Sequence, residues 1–495
     1  MRIRMTLVCA VVALLGLTPV ASAARRPFTK PVKLTGPVGG EPSIATDPLG
    51  DVFVAGPQGI PSGVGGTAGI GFWSSRNGGS SFGRGRYIGS FLGGGDDDVI
   101  ISKGVVYAVD LEALAAEVCK STDRGNTFDP VGPVPDPAHC TTINTGQAAY
   151  SDDRPWLTAD PSGRLYLTYH EFFSAQPLAF RSDNGGNDLF SHACGNLVSD
   201  PRIEANVPSD ITGGTLVGRP VTDKAGNLYV LFTTTTQQQD AAAVAAGQAS
   251  GTFSQLYLAV SHDHCQSFTD YTVFDGSKLG TNTVQFGDLF NDLAIDGGGN
   301  LYTLGAGFIG HKPYASTANV YLFRSSDHGQ KWQGPILVDS TRSAHMLPAA
   351  VGGPKAGQLA IGYFRTTNGA TDPGRPSAKW TYTTAESTNA NSRRPTFTYR
   401  DVNPGQVYHR GDICNQGALC GPDEDRSLLD FTSVTLDAHN CPLFTFAGNP
   451  LGTDKGTWNY VTRQQTGCFQ SNRRPAHRRP RRSARHTAAR HRAHP

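Results

Sequence analysis

The sequence predicts an all-β chain, disulfide-supported and closed into one ring of four-stranded sheets: a single β-propeller with seven blades. Two interleaved repeats and one strand at the chain's start predict it. The first repeat is a turn grammar written five times, as SSRNGGSSF (74–82), STDRGNTF (121–128), SDNGGNDLF (182–190), SHDHCQSF (261–268) and SSDHGQKW (325–332). Its elements are Ser, any residue, Asp or Asn, any residue, Gly, then an aromatic two to four residues on. An Asp or Asn side chain can accept hydrogen bonds from backbone N–H groups of a tight turn. The Gly supplies a positive φ without steric cost. The aromatic on the outgoing strand can fold back over the turn.

The second repeat is a hairpin around a small D-x-x-G-like turn. It reads EPSIATDPLGDVFVAG (41–56), DDVIISKGVVYAVD (97–110), RPWLTADPSGRLYLTY (154–169), RPVTDKAGNLYVLF (219–232), DLAIDGGGNLYTLG (292–305), LPAAVGGPKAGQLAIGYF (347–364) and DFTSVTLDAHNCPLFTFAG (430–448). Short alternating apolar runs around such turns are hairpin signals. In the first five units this hairpin precedes the turn grammar, so one unit holds four strands, which makes a blade. The turn positions Gly50, Gly104, Gly163, Gly226, Gly299, Gly357 and Asn440 lie 54 to 83 residues apart, room for one blade plus loops. Six blades would leave one hairpin outside the ring. Units six and seven carry KWTYTTAES (379–387) and NYVTRQQTGCF (459–469) where the grammar is expected, without the motif. FTKPVKL (28–34) precedes the first hairpin and is expected to supply the missing outer strand of the last blade, which would remove two open sheet edges.

Composition agrees. The chain has 59 Gly, 32 Pro and 17% charged residues, which excludes a helical or disordered body. Arg2 and Arg4, an apolar run over 7–17 and Ala21-Ser22-Ala23 predict a signal peptide at 1–23, hence a secreted protein. Eight cysteines then follow in an exported chain, an even number that points to disulfides. Pairing by nearness gives 119–140, 194–265, 414–420 and 441–468; none has the C-x-x-C spacing of a zinc site. The formal charge is +2, yet nine Arg in 471–495 and four in 1–26 leave the body between them at −11. The propeller is thus expected over 27–470, followed by a disordered Arg-rich tail over 471–495. The tail can grip anionic surface polymers or simply solubilise the chain, and carries no sequence preference for nucleic acid. TTTTQQQDAAAVAAGQASGT (233–252) reads as an inserted loop or short helix. The stretch 395–427 reads as a long connection pinned by Cys414–Cys420.

In a propeller the starts of the innermost strands form a ring around one mouth of the channel. Here they are charged: Glu41, Asp97, Asp98, Asp152, Asp153, Arg154, Arg219, Asp292, Asp425, Arg426 and Asp430, with His345 at the sixth blade. The turn grammar resembles the Asp-box, or BNR repeat, of sialidase-like β-propellers, and the resemblance covers most of the chain. It implies an exo-sialidase type of glycoside hydrolase acting on exposed glycans. Such enzymes bind the substrate carboxylate with three Arg, whose planar forks pair with it bidentately. By position those would be Arg154, Arg219 and Arg426, with Asp292 beside the substrate. Asp153 would be the acid/base and Tyr408 or Tyr382 the nucleophile, with Glu41 as its activating partner. The family's Phe/Tyr-Arg-Ile-Pro signature has as its counterpart Glu41-Pro42-Ser43-Ile44, a negative residue in place of an Arg.

A second reading is a non-catalytic propeller that binds glycan or a protein partner at the cell surface. Bland readings stand beside each motif. The turn grammar shapes turns, and Asp153-Arg154 can be an ion pair between blades. Asp96-Asp97-Asp98 reads as a solvated acidic loop, since calcium needs six or more oxygens. His170-Glu171 lacks the second His of a zinc helix. No metal and no cofactor is expected, and the protein is expected to be a monomer.

Overall fold

Alternating strand runs separated by turns of fixed chemistry pair with their sequence neighbours, and the chain does this throughout. The computed structural model describes residues 26–58, 69–89, 94–112, 115–130, 140–142, 152–171, 176–204, 216–234, 255–276, 284–286, 292–309, 318–414, 420, 423–451 and 456–470. These form seven antiparallel sheets, each built on a path of four strands and four of them joined by a fifth short strand off that path. One short helix, Pro201–Glu204, is the sole α-helix among the described residues. The signal-peptide, Arg-rich-tail and most of the 233–252 insertion expectations fall outside the described residues.

All seven predicted hairpins are the first two strands of a blade. Ser43–Thr46 pairs Val52–Gly56, and Asp97–Ser102 pairs Val105–Glu112. Asp152–Ala159 pairs Leu165–Glu171, and Val221–Thr222 pairs Leu228–Thr234. Leu293–Ile295 pairs Leu301–Ile309, His345–Gly352 pairs Leu359–Thr366, and Ser433–Leu436 pairs Pro442–Gly448. The ring closes as expected. Val32–Lys33 pairs with Trp458–Arg463, so the first segment of the body completes the seventh blade. Thr29 N and Leu34 N donate to Arg463 and Asn459 carbonyls, while Phe28 and Leu34 are buried against the last blade and its neighbour. The four cysteine pairs are those expected from nearness.

The turn grammar is realised identically five times. The backbone N–H at its fifth position (Gly79, Gly125, Gly186, Cys265, Gly329) donates to the Ser Oγ over 2.7–3.0 Å. The Asp or Asn carboxyl or amide oxygen accepts a backbone N–H four residues on, over 2.8–2.9 Å. Positions four and five both have positive φ, from 60° to 86°. Position five is not always Gly: Cys265 holds φ 67°, and its disulfide to Cys194 ties down the loop. Position four, unspecified in the sequence pattern, reaches the preceding blade. Arg124 Nε donates to the buried Asp51 at 2.6 Å, His264 Nδ1 meets Arg164 at 3.0 Å and His328 Nδ1 meets the Tyr229 hydroxyl at 3.3 Å. Unit six keeps part of the device that its sequence was read as lacking: Ser387 Oγ donates to Asn389 Oδ1 at 3.0 Å, and Thr396 N to the same oxygen at 2.9 Å.

Because strands alternate in direction, the D-x-x-G turns and the repeated turn grammar share one face of the ring. The starts of the inner strands share the other, and that face is the charged mouth.

Candidate functional site

The starts of the inner strands are bent away from regular β geometry. Glu41, Arg154, Leu347 and Leu429 hold φ of 50°, 55°, 52° and 60°, all immediately before or within an innermost strand. Bulges interrupt the pairing between Asp153 and Trp156 and between Met346 and Ala349. A positive φ at a non-Gly residue costs of order 1–3 kcal/mol and persists only where surrounding contacts over-determine it. Bulges re-aim side chains. Of the four positive-φ residues, Glu41 and Arg154 are polar, and Leu347 and Leu429 are buried apolar residues.

The aspartates that open the inner strands first tie blades together. Asp98 accepts Leu157 N from the next blade at 3.2 Å, and Asp292 accepts Ala350 N from its next blade at 2.7 Å. Asp97 accepts the Ser43 hydroxyl of the preceding blade. Asp152 accepts Ala116 N at 3.1 Å. Asp97 and Asp98 are buried, so the solvated-loop reading of the Asp triplet is corrected: the acids begin a central strand, and Asp96 alone lies half-buried on the mouth.

Arg219 crosses the axis. From the fourth blade its Nη2 meets Asp98 of the second at 3.0 Å, its Nη1 donates to Ser433 Oγ of the seventh at 2.9 Å, and its guanidinium lies 5.0 Å over Trp156 of the third. Trp156 itself packs on Phe431 of the seventh blade, centroids 4.7 Å apart. Together these groups floor the mouth. The space left among Trp156, Arg219, Asp292, Pro348, Phe431 and Thr432 is about 20 Å³, room for one water. Behind this floor Tyr382 is fully buried and donates to Thr432 Oγ1 at 3.0 Å, with its phenol pushed far up by burial.

Above the floor, acids outnumber bases. Arg426 is ion-paired with Asp430, and Arg154 with Asp153 at 3.5 Å. Burial, with Asp153 and Asp430 nearby, pushes Asp96 up to about 7 against the pull of Arg154 and Arg426. Burial pushes Asp98 up to about 6, opposed by Arg219. Asp97 and Glu41 rise well above the carboxylate range, again chiefly through burial, and Asp292 rises for the same reason. Glu41 is 1% exposed, its Oε1 accepts no hydrogen bond, and Asp96, Asp430, Arg426 and Asp97 face it.

Of the residues singled out from sequence, Glu41, Asp153, Arg154 and Arg426 gather at the mouth, with Arg219 and Asp292 in its floor. Tyr408 is not among them. It is buried between the sixth and seventh blades, its ring 4.9 Å from Phe446 and 5.2 Å from Tyr460, so the position supplies packing there. His345 is also internal: its Nε2 lies 3.2 Å from Asp339, which accepts the Tyr363 hydroxyl at 2.8 Å. Asp425 caps a loop by accepting Ser427 N at 2.7 Å. Sequence reasoning passed over Trp156, Phe431 and Thr432. Trp156 closes the Asp-Arg-Pro-Trp stretch (153–156), but nothing in sequence signals that Phe431 meets it across the ring. Among the described residues, the metal-ligating types whose atoms gather are Cys414, Cys420 and Glu424, and the two sulfurs are joined in a disulfide.

No protein-family model matches the chain, and no curated protein matches it in sequence. Solved structures do match in shape. A polysaccharide lyase of family PL25, an ulvan lyase bound to -[GlcA(1-4)Rha3S]-, superposes with a TM-score of 0.50 at 11% identity, covering 87% of this chain and 96% of its own. A protein of unknown function from Dyadobacter fermentans gives 0.48 at 13%, covering 89% and 100%. The NanB sialidase of Streptococcus pneumoniae gives 0.41 at 11%, covering 90% and 71%. At these identities the likeness concerns the propeller fold.

Proposed function

We propose that this is a glycan-directed propeller that seats a sugar at the charged mouth and hydrolyses its glycosidic bond by acid/base chemistry between two carboxylates. The observation that carries the reading is the half-buried pair Asp96 and Asp153 above a closed floor. One of the two is held protonated near neutrality, at about 7, partly by the other. Carboxyl groups whose environments split their protonation are what glycoside hydrolysis uses, one donating to the leaving oxygen while the other assists attack. Asp96 is the proton donor in this reading and Asp153 the second carboxylate. Arg154 and Arg426 orient the acids by ion pairing.

Two observations favour binding without catalysis over the sialidase type: each of the three arginines already has an aspartate, and Tyr408 packs away from the mouth. Export agrees with four disulfides, which persist in oxidising compartments, and among the described residues no helix is long and apolar enough to cross a membrane. In this reading the protein acts as a secreted monomer, and its Arg-rich tail holds it near anionic surface polymers.

The test is a glycan array with the purified protein, followed by turnover assays on neutral, amino and sialic glycosides across pH. Hydrolysis of a bound sugar that Asp96→Asn and Asp153→Asn each abolish, with binding retained, is expected. Binding without turnover at any pH leaves the non-catalytic reading. Sialoside cleavage lost in Arg154→Ala and Arg219→Ala would restore the sialidase reading. No glycan binding at all would refute the proposal.

A further inference from the structure

We infer that the ligand of this mouth carries a primary ammonium group, and that the Glu41 carboxylate receives it. The inference rests on the glycan reading above and names the sugar class: a glycan with free amino groups in place of N-acetyl or carboxylate substituents.

Three observations carry it. The first is Glu41 itself: it is 1% exposed, held at φ 50°, and its buried Oε1 has no hydrogen-bond partner among the described residues. A buried carboxyl left without a partner is costly, and such groups in native structures call for a missing one. The second is charge. Glu41, Asp96, Asp153 and Asp430 gather on one side of the mouth against Arg426 and Arg154, with the buried Asp97 close to Glu41, and each Arg is already paired with an aspartate. A sialic or uronic acid carboxylate would find no arginine there without an aspartate already on it, whereas an ammonium would find acceptor oxygens.

The third is spacing. A calcium or zinc ion needs several ligand oxygens within about 2.5 Å of one centre. The mouth acids do not draw their oxygens together that closely among the described residues. An ammonium donates single N–H bonds at about 2.7–2.9 Å and can be held by one carboxylate, so Glu41 can receive it without a multi-oxygen cage. Burial and the facing Asp96, Asp430 and Asp97 hold Glu41 protonated in the empty site, with Arg426 opposing. Docking of R–NH₃⁺ therefore ionises the acid: Glu41–COOH gives up its proton to solvent as the –COO⁻···⁺H₃N–R pair forms.

Isothermal titration of the mature protein with a glucosamine oligomer and with its fully N-acetylated counterpart tests this. The amino form is expected to bind at least about tenfold tighter. Titrations in two buffers of different ionisation enthalpy should show proton release for the amino form alone. Glu41→Gln should abolish both the preference and the proton release. Asp97→Asn, which leaves Glu41 in place, should reduce the preference, so the reading survives a misfolded Gln variant. Equal affinities, a preference for the N-acetylated form, or a preference that survives Glu41→Gln would overturn the ammonium inference and leave the glycan reading standing. If neither oligomer binds but a lysine-rich peptide does, the glycan half is overturned, and if nothing binds, both fall.

Discussion

Removing Arg219 separates the two roles an arginine can have at this mouth. Its guanidinium touches three other blades: an ion pair to the buried Asp98 at 3.0 Å, a hydrogen bond to Ser433 at 2.9 Å, and the Trp156 face at 5.0 Å. Arg219→Ala strips the buried carboxyl of its counter-charge, which typically costs about 3–5 kcal/mol. For a folded body of this length the unfolding entropy is about 0.9 kcal/mol/K, so the melting temperature should fall by about 3–5 °C. The loss should depend on pH. Asp98 is pushed up to about 6 even with Arg219 present, and higher without it. Below that value Asp98 is protonated in both proteins and only the Ser433 and Trp156 contacts distinguish them. The deficit should therefore be largest near about pH 8 and shrink by about pH 5. Thermal melts of wild type, Arg219→Ala, Asp98→Asn and the double variant, each at both pH values, measure it. The double variant should recover part of the loss, because the orphaned charge is gone. A melting temperature unchanged in Arg219→Ala, with glycan binding lost, would refute this account and make Arg219 a ligand-contacting residue.

Other predictions follow from the same contacts. Phe28→Ala should cost about 3–5 kcal/mol, read by urea denaturation, because Phe28 is buried against the closing blade; a smaller effect than that of a surface Ala substitution would mean the ring does not depend on this strand. Ser325→Ala removes the acceptor of Gly329 N and the donor to Asp327, and should cost about 1–2 kcal/mol in the same assay. The melting temperature should rise as pH falls from about 8 to about 5, since Asp96 and Asp152, both pushed up to about 7, bind protons in the folded state first. Below about pH 4 it should fall again as turn aspartates such as Asp263, held at about 2 by its turn hydrogen bonds, are protonated. A monotonic profile would contradict both shifts. Deleting 471–495 should weaken adhesion to anionic polymers, measured by co-sedimentation at low and high salt, without moving the melting temperature.

Local chemistry made the blades legible in the sequence. Each repeated turn is stabilised by atoms within four or five residues of one another, so Ser, Asp and a positive-φ position in fixed order determine a turn wherever they occur. The D-x-x-G hairpins are local in the same sense, and the disulfides, though they span 6 to 71 residues, each join cysteines consecutive in sequence. Even the closing strand was visible, because a ring of seven leaves one strand place empty and FTKPVKL was the segment left to fill it. The meaning of the charged residues was not local. Sequence placed Glu41, Arg154, Arg219, Asp292 and Arg426 at the starts of inner strands, but the partners of Arg219 come from the second, third and seventh blades, and Asp292 holds a backbone N–H of the next blade. Arg219 meets Ser433 across 214 residues and Trp156 meets Phe431 across the axis. Whether a guanidinium is free for a ligand or held by an aspartate, and whether a tyrosine such as Tyr408 faces the channel or the core, depends on how the ring turns each blade about its centre. That angle is fixed by packing between sheets, and no single blade encodes it.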